Sequence, residues 1–137
     1  NVKLWEKNFG GTNNDQLNDV YFLETGKVIF AGASKSTDRD MTGNKGGFDV
    51  LVGTMDEAGN LVRSRNLGGS KDEFARKILH ADGANFFIFG ETSSNNEGDF
   101  TGLTNKGAKD VFGVKLNRNS NQILKRDIVL MSKRHSI

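Results

Sequence analysis

The sequence predicts an all-β protein made of short antiparallel strands, and three observations lead to that prediction. The 137 residues include 17 glycines and no proline, which is typical of chains that turn often and keep every backbone N–H available for strand pairing. The apolar runs are short and are separated by Gly, Asn and Asp, which indicates strands joined by turns. A pattern of residues also occurs twice along the chain. Together these features favour two four-stranded units over long helices.

Composition excludes several classes of protein. The absence of cysteine excludes disulfides, thiolate metal sites and a cysteine nucleophile. The 19 basic and 17 acidic side chains leave a formal charge of +2, whereas nucleic-acid-binding surfaces carry a concentrated basic excess. The apolar runs fall far short of the roughly 20 residues that span a bilayer. We therefore expect neither a nucleic-acid partner nor a membrane span.

An internal repeat organises the chain. Residues 9–12, Phe-Gly-Gly-Thr, recur 58 positions later as Leu-Gly-Gly-Ser, and residues 32–36 recur at 90–94. Residues 40–43 and 44–50 then match 99–102 and 105–111. Matches in the same order predict a fold built from repeated supersecondary units. The predicted units are 1–60 and 61–121, followed by a partial third unit and polar tail at 122–137.

Each unit contains four apolar segments that predict strands. Turn signals separate them, including Thr25-Gly26 in the first unit and Asp82-Gly83 in the second. The segment 122–131 predicts the first strand of the third unit. The predicted strands are 3–9, 17–23, 27–33 and 49–55 in the first unit, and 61–67, 74–80, 85–91 and 110–116 in the second.

Continuous apolar runs indicate how the units pack. Residues 28–31, 50–52, 86–89 and 111–112 are apolar throughout, whereas a sheet with one wet face alternates apolar and polar residues. A four-stranded unit covered on both faces by similar units is a β-propeller-type blade. Two blades leave two apolar faces uncovered, which predicts other blades of the same or a second chain as partners. The alternative is a compact β-sandwich or barrel formed by a duplicated unit.

The repeated residues also carry a resemblance. The order W-x-x-x-[FL]-G-G-[ST]-x-x-D, G-x-[ST]-x-S, D-x-x-G, N-K-G and D-V is similar to the bacterial β-propeller repeat family of exported and cell-surface proteins, over about residues 4–124. In the first unit it begins at Trp5, whereas residues 63–65 of the second unit have arginine in its place. The resemblance implies a secreted or cell-surface location and a non-catalytic binding or scaffold role.

The repeated Gly and Asp residues predict turns. Paired glycines permit a tight reversal with positive φ, and aspartates a few residues later accept backbone hydrogen bonds within the loop. A phosphate-binding loop is not indicated, because no matching glycine motif is present. The predicted turn residues are Gly10, Gly11 and Asp15 with Gly68, Gly69 and Asp72, together with Asp49 and Asp110, each of which begins the closing strand of its unit.

The two long polar loops, 34–48 and 92–109, are the candidate binding loops because they are larger than a connection requires. Their candidate residues are Asp38, Asp40, Glu97 and Asp99. In the first loop, Asp38, Asp40, Thr42 and Asp49 have the spacing of a calcium loop, although Arg39 and Lys45 lie in the same stretch. The alternative is that these side chains cap turns.

The sequence therefore predicts a non-catalytic module without a required cofactor, which contacts a protein or glycan ligand through polar loops. Two alternatives stay open. One is a carbohydrate-active hydrolase with its site where the units meet, although no catalytic residue is identified. The other is a calcium-stabilised adhesion module.

Overall fold

The computed structural model describes residues 2–41, 43–100, 105, 108–117 and 128–132. These residues form two four-stranded antiparallel sheets with the strand orders β1-β2-β3-β4 and β5-β6-β7-β8, so the all-β prediction is confirmed. Within the described residues neither sheet closes into a barrel. The first sheet contains β1 (Asp15–Phe22), β2 (Val28–Ser34), β3 (Asp49–Met55) and β4 (Leu61–Leu67), and the second contains β5 (Glu73–Asp82), β6 (Asn85–Thr92), β7 (Asp110–Asn117) and β8 (Ile128–Ser132).

Three predictions about the strands are wrong. The segment 122–131 was expected to begin a third unit, but its described part belongs to β8, which pairs with β7 as the last strand of the second sheet. Segment 3–9 has a strand-like sequence but forms no strand, because a strand needs a hydrogen-bonded neighbour and no described strand pairs with it. The strand 61–67 was expected to begin the second unit. Instead it is β4, the last strand of the first sheet, because it pairs with β3 from Val50↔Leu67 to Met55↔Leu61. The chain therefore passes from one sheet to the other between residues 67 and 73.

The two sheets pack face to face around one apolar core. The first sheet contributes aliphatic side chains, among them Ala31 and Val50, and the second contributes aliphatic and aromatic ones, among them Phe86 and Phe112. Phe100, from a single 3₁₀ turn at Gly98–Phe100, also lies in this core. A second, smaller cluster lies on the far side of the first sheet and contains Phe30, Met41 and Leu51.

Hydrogen bonds also join the first strands of the two sheets. Asn18 donates its Nδ2 to the carbonyl oxygen of Ala75 at 2.7 Å, and the backbone N–H of Ile78 donates to Asp19 at 2.8 Å. Because the core and these bonds both connect the sheets, β1 and β5 lie side by side. No helix among the described residues is long and apolar enough to cross a membrane.

Candidate functional site at the loop end of the sheets

The paired glycines and the candidate binding loops lie together at one end of the sheets. Two clusters form there. We call residues 10–13 with Asp15, Ser34, Ser36, Asp38 and Asp40 the first clamp, and residues 68–71 with Glu73, Thr92, Ser94, Glu97 and Asp99 the second clamp. In each clamp, a glycine-rich loop is held by the carboxylate that begins the sheet's first strand and by side chains from the loop that follows its second strand.

Asp15 is the centre of the first clamp. It begins β1, and its carboxylate accepts hydrogen bonds from the N–H of Gly11 at 3.0 Å, from the hydroxyl of Ser36 at 3.1 Å and from the hydroxyl of Ser34. The hydroxyl of Ser34 in turn accepts a bond from the N–H of Ser36. The G-x-[ST]-x-S pattern at the end of β2 thus provides donors for one carboxylate.

The candidate binding residues Asp38 and Asp40 form the outer part of this clamp. Asp38 accepts hydrogen bonds from both the N–H and the hydroxyl of Thr12, at 2.9 and 3.1 Å. Asp40 accepts the N–H of Gly10 at 3.1 Å. Because these oxygens bond to the glycine-rich loop, both aspartates fix the shape of the loop.

The second clamp makes corresponding bonds with different residues. Glu73 begins β5 and accepts the N–H of Gly69 at 3.0 Å and the hydroxyl of Thr92 at 2.8 Å. Glu97 accepts the hydroxyl of Ser70 at 2.7 Å, which is the main reason why its pKa is lowered. Asp99 accepts the N–H of Gly68 at 2.9 Å.

The predicted match between Asp15 and Asp72 is wrong. Glu73 makes the bonds that correspond to those of Asp15, whereas Asp72 accepts the N–H of Phe48, the residue before β3, at 2.9 Å. The distance of 58 residues also pairs Asp15 with Glu73. A change from Asp to Glu concealed that match in the sequence.

The glycines are needed mainly for close approach rather than for positive φ. Among the four clamp glycines only Gly10 has positive φ, at 156°. A Cβ on Gly11 would collide with Ser36 and Asp38, and a Cβ on Gly69 would lie 2.6 Å from the hydroxyl of Ser94. The expected conformational reason is therefore wrong for Gly11, Gly68 and Gly69, which leave room for the carboxylates and hydroxyls that hold the loop.

A second buried carboxylate, from the first sheet, lies beside the second clamp. Asp49 begins β3, is 0% exposed, and accepts the N–H of Lys45 at 2.6 Å. Among the described residues its Oδ1 has no hydrogen-bond partner, and both it and a carboxylate oxygen of Glu73 lie against Gly68. Burial raises the pKa of Asp49 to about 6, with a further contribution from the charge of Glu73. Burial also raises the pKa of Glu73.

Asp49 and Asp110 occupy corresponding positions. Each begins the third strand of its sheet, β3 and β7, and is almost completely buried. They were expected to begin the closing strand of each unit. That expectation is wrong in one respect, because a fourth strand follows in each sheet.

The calcium candidates do not form a cluster of carboxylates. Asp38 and Asp40 bond to Thr12 and Gly10, Asp49 is buried beside the second clamp, and Thr42 lies outside the described residues. The part of the chain that the structure describes contains no group of three His, Cys, Asp or Glu side chains that would hold a metal ion. Calcium binding stays a prediction.

Exposed side chains of both charges lie at the loop end, where Asp40 and Asp72 are the exposed acidic ones. Lys35, Arg39 and Lys71 are exposed. Lys45 pairs with Asp99 at 3.1 Å, and Lys109 lies 3.7 Å from Glu91. The hydrogen bonds to the glycine-rich loops orient the carboxylates of Asp38, Asp40, Glu97 and Asp99 but do not neutralise them, so the loop end carries charges of both signs.

Sequence reasoning missed Glu73 and did not foresee the role of the hydroxyls. The repeat distance was a signal for Glu73, and the repeated G-x-[ST]-x-S pattern was a signal for Ser34, Ser36, Thr92 and Ser94. No protein-family model matches the chain, and a search of curated proteins finds none significantly similar to it.

Proposed function

We propose that this chain is a non-catalytic binding or scaffold module whose sheets act as β-propeller-type blades and whose loop end contacts a ligand. The observation that carries the proposal is the pair of clamps. They hold two loops in fixed positions at the same end of the sheets, and rigid frameworks that present loops are a common basis of recognition.

The packing of the sheets supports the blade arrangement. The first strands β1 and β5 are neighbours, and each sheet uses one face in the shared core. Radial packing of four-stranded antiparallel sheets has this form, with the first strands nearest the axis. The resemblance of the repeat to exported and cell-surface propeller proteins agrees with this proposal and extends it to an extracellular location.

Two exposed cations at the loop end are the basis for proposing an anionic ligand. Arg39 and Lys71 are exposed, and the neighbouring carboxylates of Asp38 and Glu97 are directed toward Thr12 and Ser70. Arginine and lysine bind carboxylates and phosphates through charge-assisted hydrogen bonds. We therefore propose an acidic glycan or an acidic protein segment as the ligand class.

One observation favours the alternative of a hydrolase. Asp49 and Glu73 are neighbouring carboxylates where the sheets meet, and burial raises the pKa of both, as in some acid–base pairs. However, both side chains are 0% exposed, so a glycosidic oxygen cannot reach them without opening the joint between the sheets. Burial therefore favours a structural role for this pair.

A binding screen with acidic and neutral glycans tests the proposal. We expect binding to an acidic glycan to weaken with salt, and to fall at least tenfold in the double variant Arg39→Gln, Lys71→Gln, because two charge-assisted contacts are lost. The matched control is Lys7→Gln, Lys27→Gln, which removes the same charge from exposed residues outside the clamps. Equal binding by both double variants, or turnover of a glycan, would contradict the proposal.

A further inference from the structure

One face of the second sheet does not contribute to the shared core. Successive residues of a strand point to opposite faces, and Phe86 and Ile88 of β6 belong to the core. Phe87 and Phe89 therefore lie on the opposite face, where both are half-buried. We call the middle of this face the platform; it consists of Lys77 and Leu79 of β5, Phe87 and Phe89 of β6, and Gly113 and Lys115 of β7.

Two aromatic rings lie side by side in the middle of the platform. The ring centroids of Phe87 and Phe89 are 5.7 Å apart, and the ring planes are inclined by 30°. The ring of Phe89 covers Gly113, since a Cβ there would lie 2.8 Å from a ring carbon. Because Gly113 has no side chain, this ring lies against the backbone of β7 instead of being held away from it. The platform therefore presents aromatic surface on an inner strand of the sheet.

Lysines flank the two rings on both neighbouring strands. Lys77 is paired in register with Phe89, and Lys115 is paired with Phe87. The Nζ atom of Lys115 lies 5.8 Å from the ring centroid of Phe87. The side chain of Lys77 is 62% exposed, and its Nζ atom lies 3.6 Å from a carboxylate oxygen of Asp19. Each ring thus has a cation beside it.

Two further cations lie on the same face toward the loop end. Arg76, at a bulge of β5, lies 2.6 Å from a carboxylate oxygen of Glu91, and Lys109, just before β7, lies 3.7 Å from the same oxygen. One carboxylate thus serves two cations. At the other end of the face, Asp82 accepts a hydrogen bond from Asn85 in the turn. Basic side chains therefore outnumber acidic ones among the described residues of this face.

Rings with cations beside them are the features that bind single-stranded nucleic acids. Every base has a π face that stacks on an aromatic ring, and every nucleotide adds a phosphate that lysine or arginine binds. Four-stranded sheets that carry aromatic side chains recognise single strands in this way. In a duplex the bases are already stacked on each other and are not free to contact these rings. An acidic glycan supplies negative charge but no π face.

A further sheet is a less suitable occupant of this face. The shared core is formed by apolar residues, and a sheet docked here in the same way would bury Lys77 and Lys115 at the cost of removing two charges from water. A nucleic acid strand would instead pair these charges with phosphates. The net charge of +2 for the whole chain led to the prediction that no nucleic acid binds, but that total does not show which face carries the basic residues.

We propose that the platform, together with Arg76 and Lys109, binds single-stranded nucleic acid, with bases stacked on Phe87 and Phe89 and phosphates bound by the four cations. The site lies outside both clamps. It goes beyond the proposed function and does not depend on the acidic ligand proposed for the loop end.

Fluorescence anisotropy with a labelled oligothymidylate tests the stacking. The matched probe is an abasic strand of the same length, which has the same phosphates but no bases. We expect the oligothymidylate to bind at least tenfold more tightly, and Phe87→Leu and Phe89→Leu each to weaken its binding at least fivefold. Phe22→Leu is the control variant, because it removes a ring that is 74% exposed on β1, outside the platform, and it should bind like the unaltered chain. Circular dichroism checks that the variants are folded.

Salt dependence tests the phosphate contacts. The slope of the logarithm of the binding constant against the logarithm of the salt concentration should fall by about 0.7 for each phosphate contact that is lost. The double variant Lys77→Gln, Lys115→Gln should therefore lower the slope by about 1.4. The control double variant Lys7→Gln, Lys27→Gln should leave the slope unchanged, because both lysines are exposed and lie outside the platform.

The proposal is overturned if the unaltered chain does not bind the oligothymidylate, or if the abasic strand binds equally well. It is also overturned if an acidic glycan of equal charge displaces the oligothymidylate as effectively as an unlabelled copy does, because charge alone would then explain binding. The loop-end variant Arg39→Gln, Lys71→Gln should bind the oligothymidylate normally. Loss of binding in that variant would locate the strand at the loop end and contradict the platform, so the two proposals fail in separate variants.

Discussion

The first and second clamps make corresponding hydrogen bonds, but they hold different parts of the molecule. The second clamp lies where β4 of the first sheet leads into β5 of the second, and the shared core buries its surroundings. The first clamp joins β1 to a segment whose residues 2–8 are exposed. The same loop chemistry thus serves a buried joint in one place and a half-exposed one in the other.

The residues differ in the way that burial requires. Glu73 is 0% exposed, whereas Asp15 is only partly buried. At the position after the outer carboxylate, Arg39 has φ of 58° and its counterpart Gly98 has φ of 57°. A Cβ on Gly98 would collide with the carbonyl oxygen of Gly68. The comparison teaches that hydrogen bonds set the loop geometry, while burial and close contact with the glycine-rich loop decide which residues that geometry accepts.

Removal of the central carboxylate should cause the largest difference in stability between the two clamps. We expect Glu73→Ala to lower the free energy of unfolding by about 3 kcal/mol, because it leaves buried donors of Gly69 and Thr92 without acceptors. Asp15→Ala should lower it by about 1 kcal/mol, since water can reach that clamp. Urea denaturation measures both. Glu73→Gln, which keeps an acceptor, is the control, and equal losses for the two alanine variants would contradict the comparison.

Asp49, beside the second clamp, should make the free energy of unfolding depend on pH, with an effect no larger than that of Glu73→Ala. Its folded-state pKa of about 6 lies above the ordinary value of 3.8, so the folded protein resists ionisation of this group. Its contribution to stability is therefore complete below about pH 4 and is lost as the pH rises through about 6. We expect Asp49→Asn to remove most of this loss and to be more stable than the unaltered chain at pH 8, by up to about 3 kcal/mol.

Thermal unfolding from pH 4 to pH 8 measures this effect. Glu97→Gln is the control and should leave the profile between pH 5 and pH 8 unchanged, because the hydrogen bond with Ser70 lowers the pKa of Glu97 and its contribution is lost only as the pH falls below the ordinary value of 4.5. An unchanged pH profile in Asp49→Asn would show that the buried carboxylate is not the cause.

Substitutions at the positive-φ positions Arg39 and Gly98 should cause the smallest differences in stability between the two clamps. Gly98→Ala should lower the free energy of unfolding by about 2 kcal/mol, because a collision with the backbone of Gly68 adds to the strain of positive φ. Arg39→Gly should raise it by up to about 1 kcal/mol by relieving that strain. Gly83→Ala, at φ of 47° with no atom within 4 Å of the added Cβ, isolates the backbone contribution. If Gly83→Ala lowers the free energy of unfolding as much as Gly98→Ala does, the collision with Gly68 is not the cause of the loss.

Local sequence was sufficient to locate most of the strands. The apolar segments and their turn glycines predicted strands that coincide closely with β1 to β7. The continuous apolar runs of β2, β3, β6 and β7 were the clearest signal. The grouping of strands was not predictable in the same way. Whether 61–67 closes one sheet or opens the next depends on its pairing with β3, and backbone pairing leaves little trace in side-chain pattern.

The sequence predicted where the candidate site lies but only part of what its residues do. The repeated loops identified Asp38, Asp40, Glu97 and Asp99, and the structure puts all four against the glycine-rich loops. Their partners are mostly backbone N–H groups, which every residue type except proline carries, so the sequence did not distinguish an acceptor for the loop from an acceptor for a ligand.

The single chain crossing between the sheets has a mechanical consequence. Among the described residues the backbone passes from the first sheet to the second only at 68–72, and Lys71 in that crossing is exposed. A trypsin cut after Lys71 would separate the two sheets covalently and leave the shared core and the bonds between β1 and β5 intact. The two sheets therefore resemble a pair of complementing fragments. Side-chain packing, rather than the single chain crossing, holds them together.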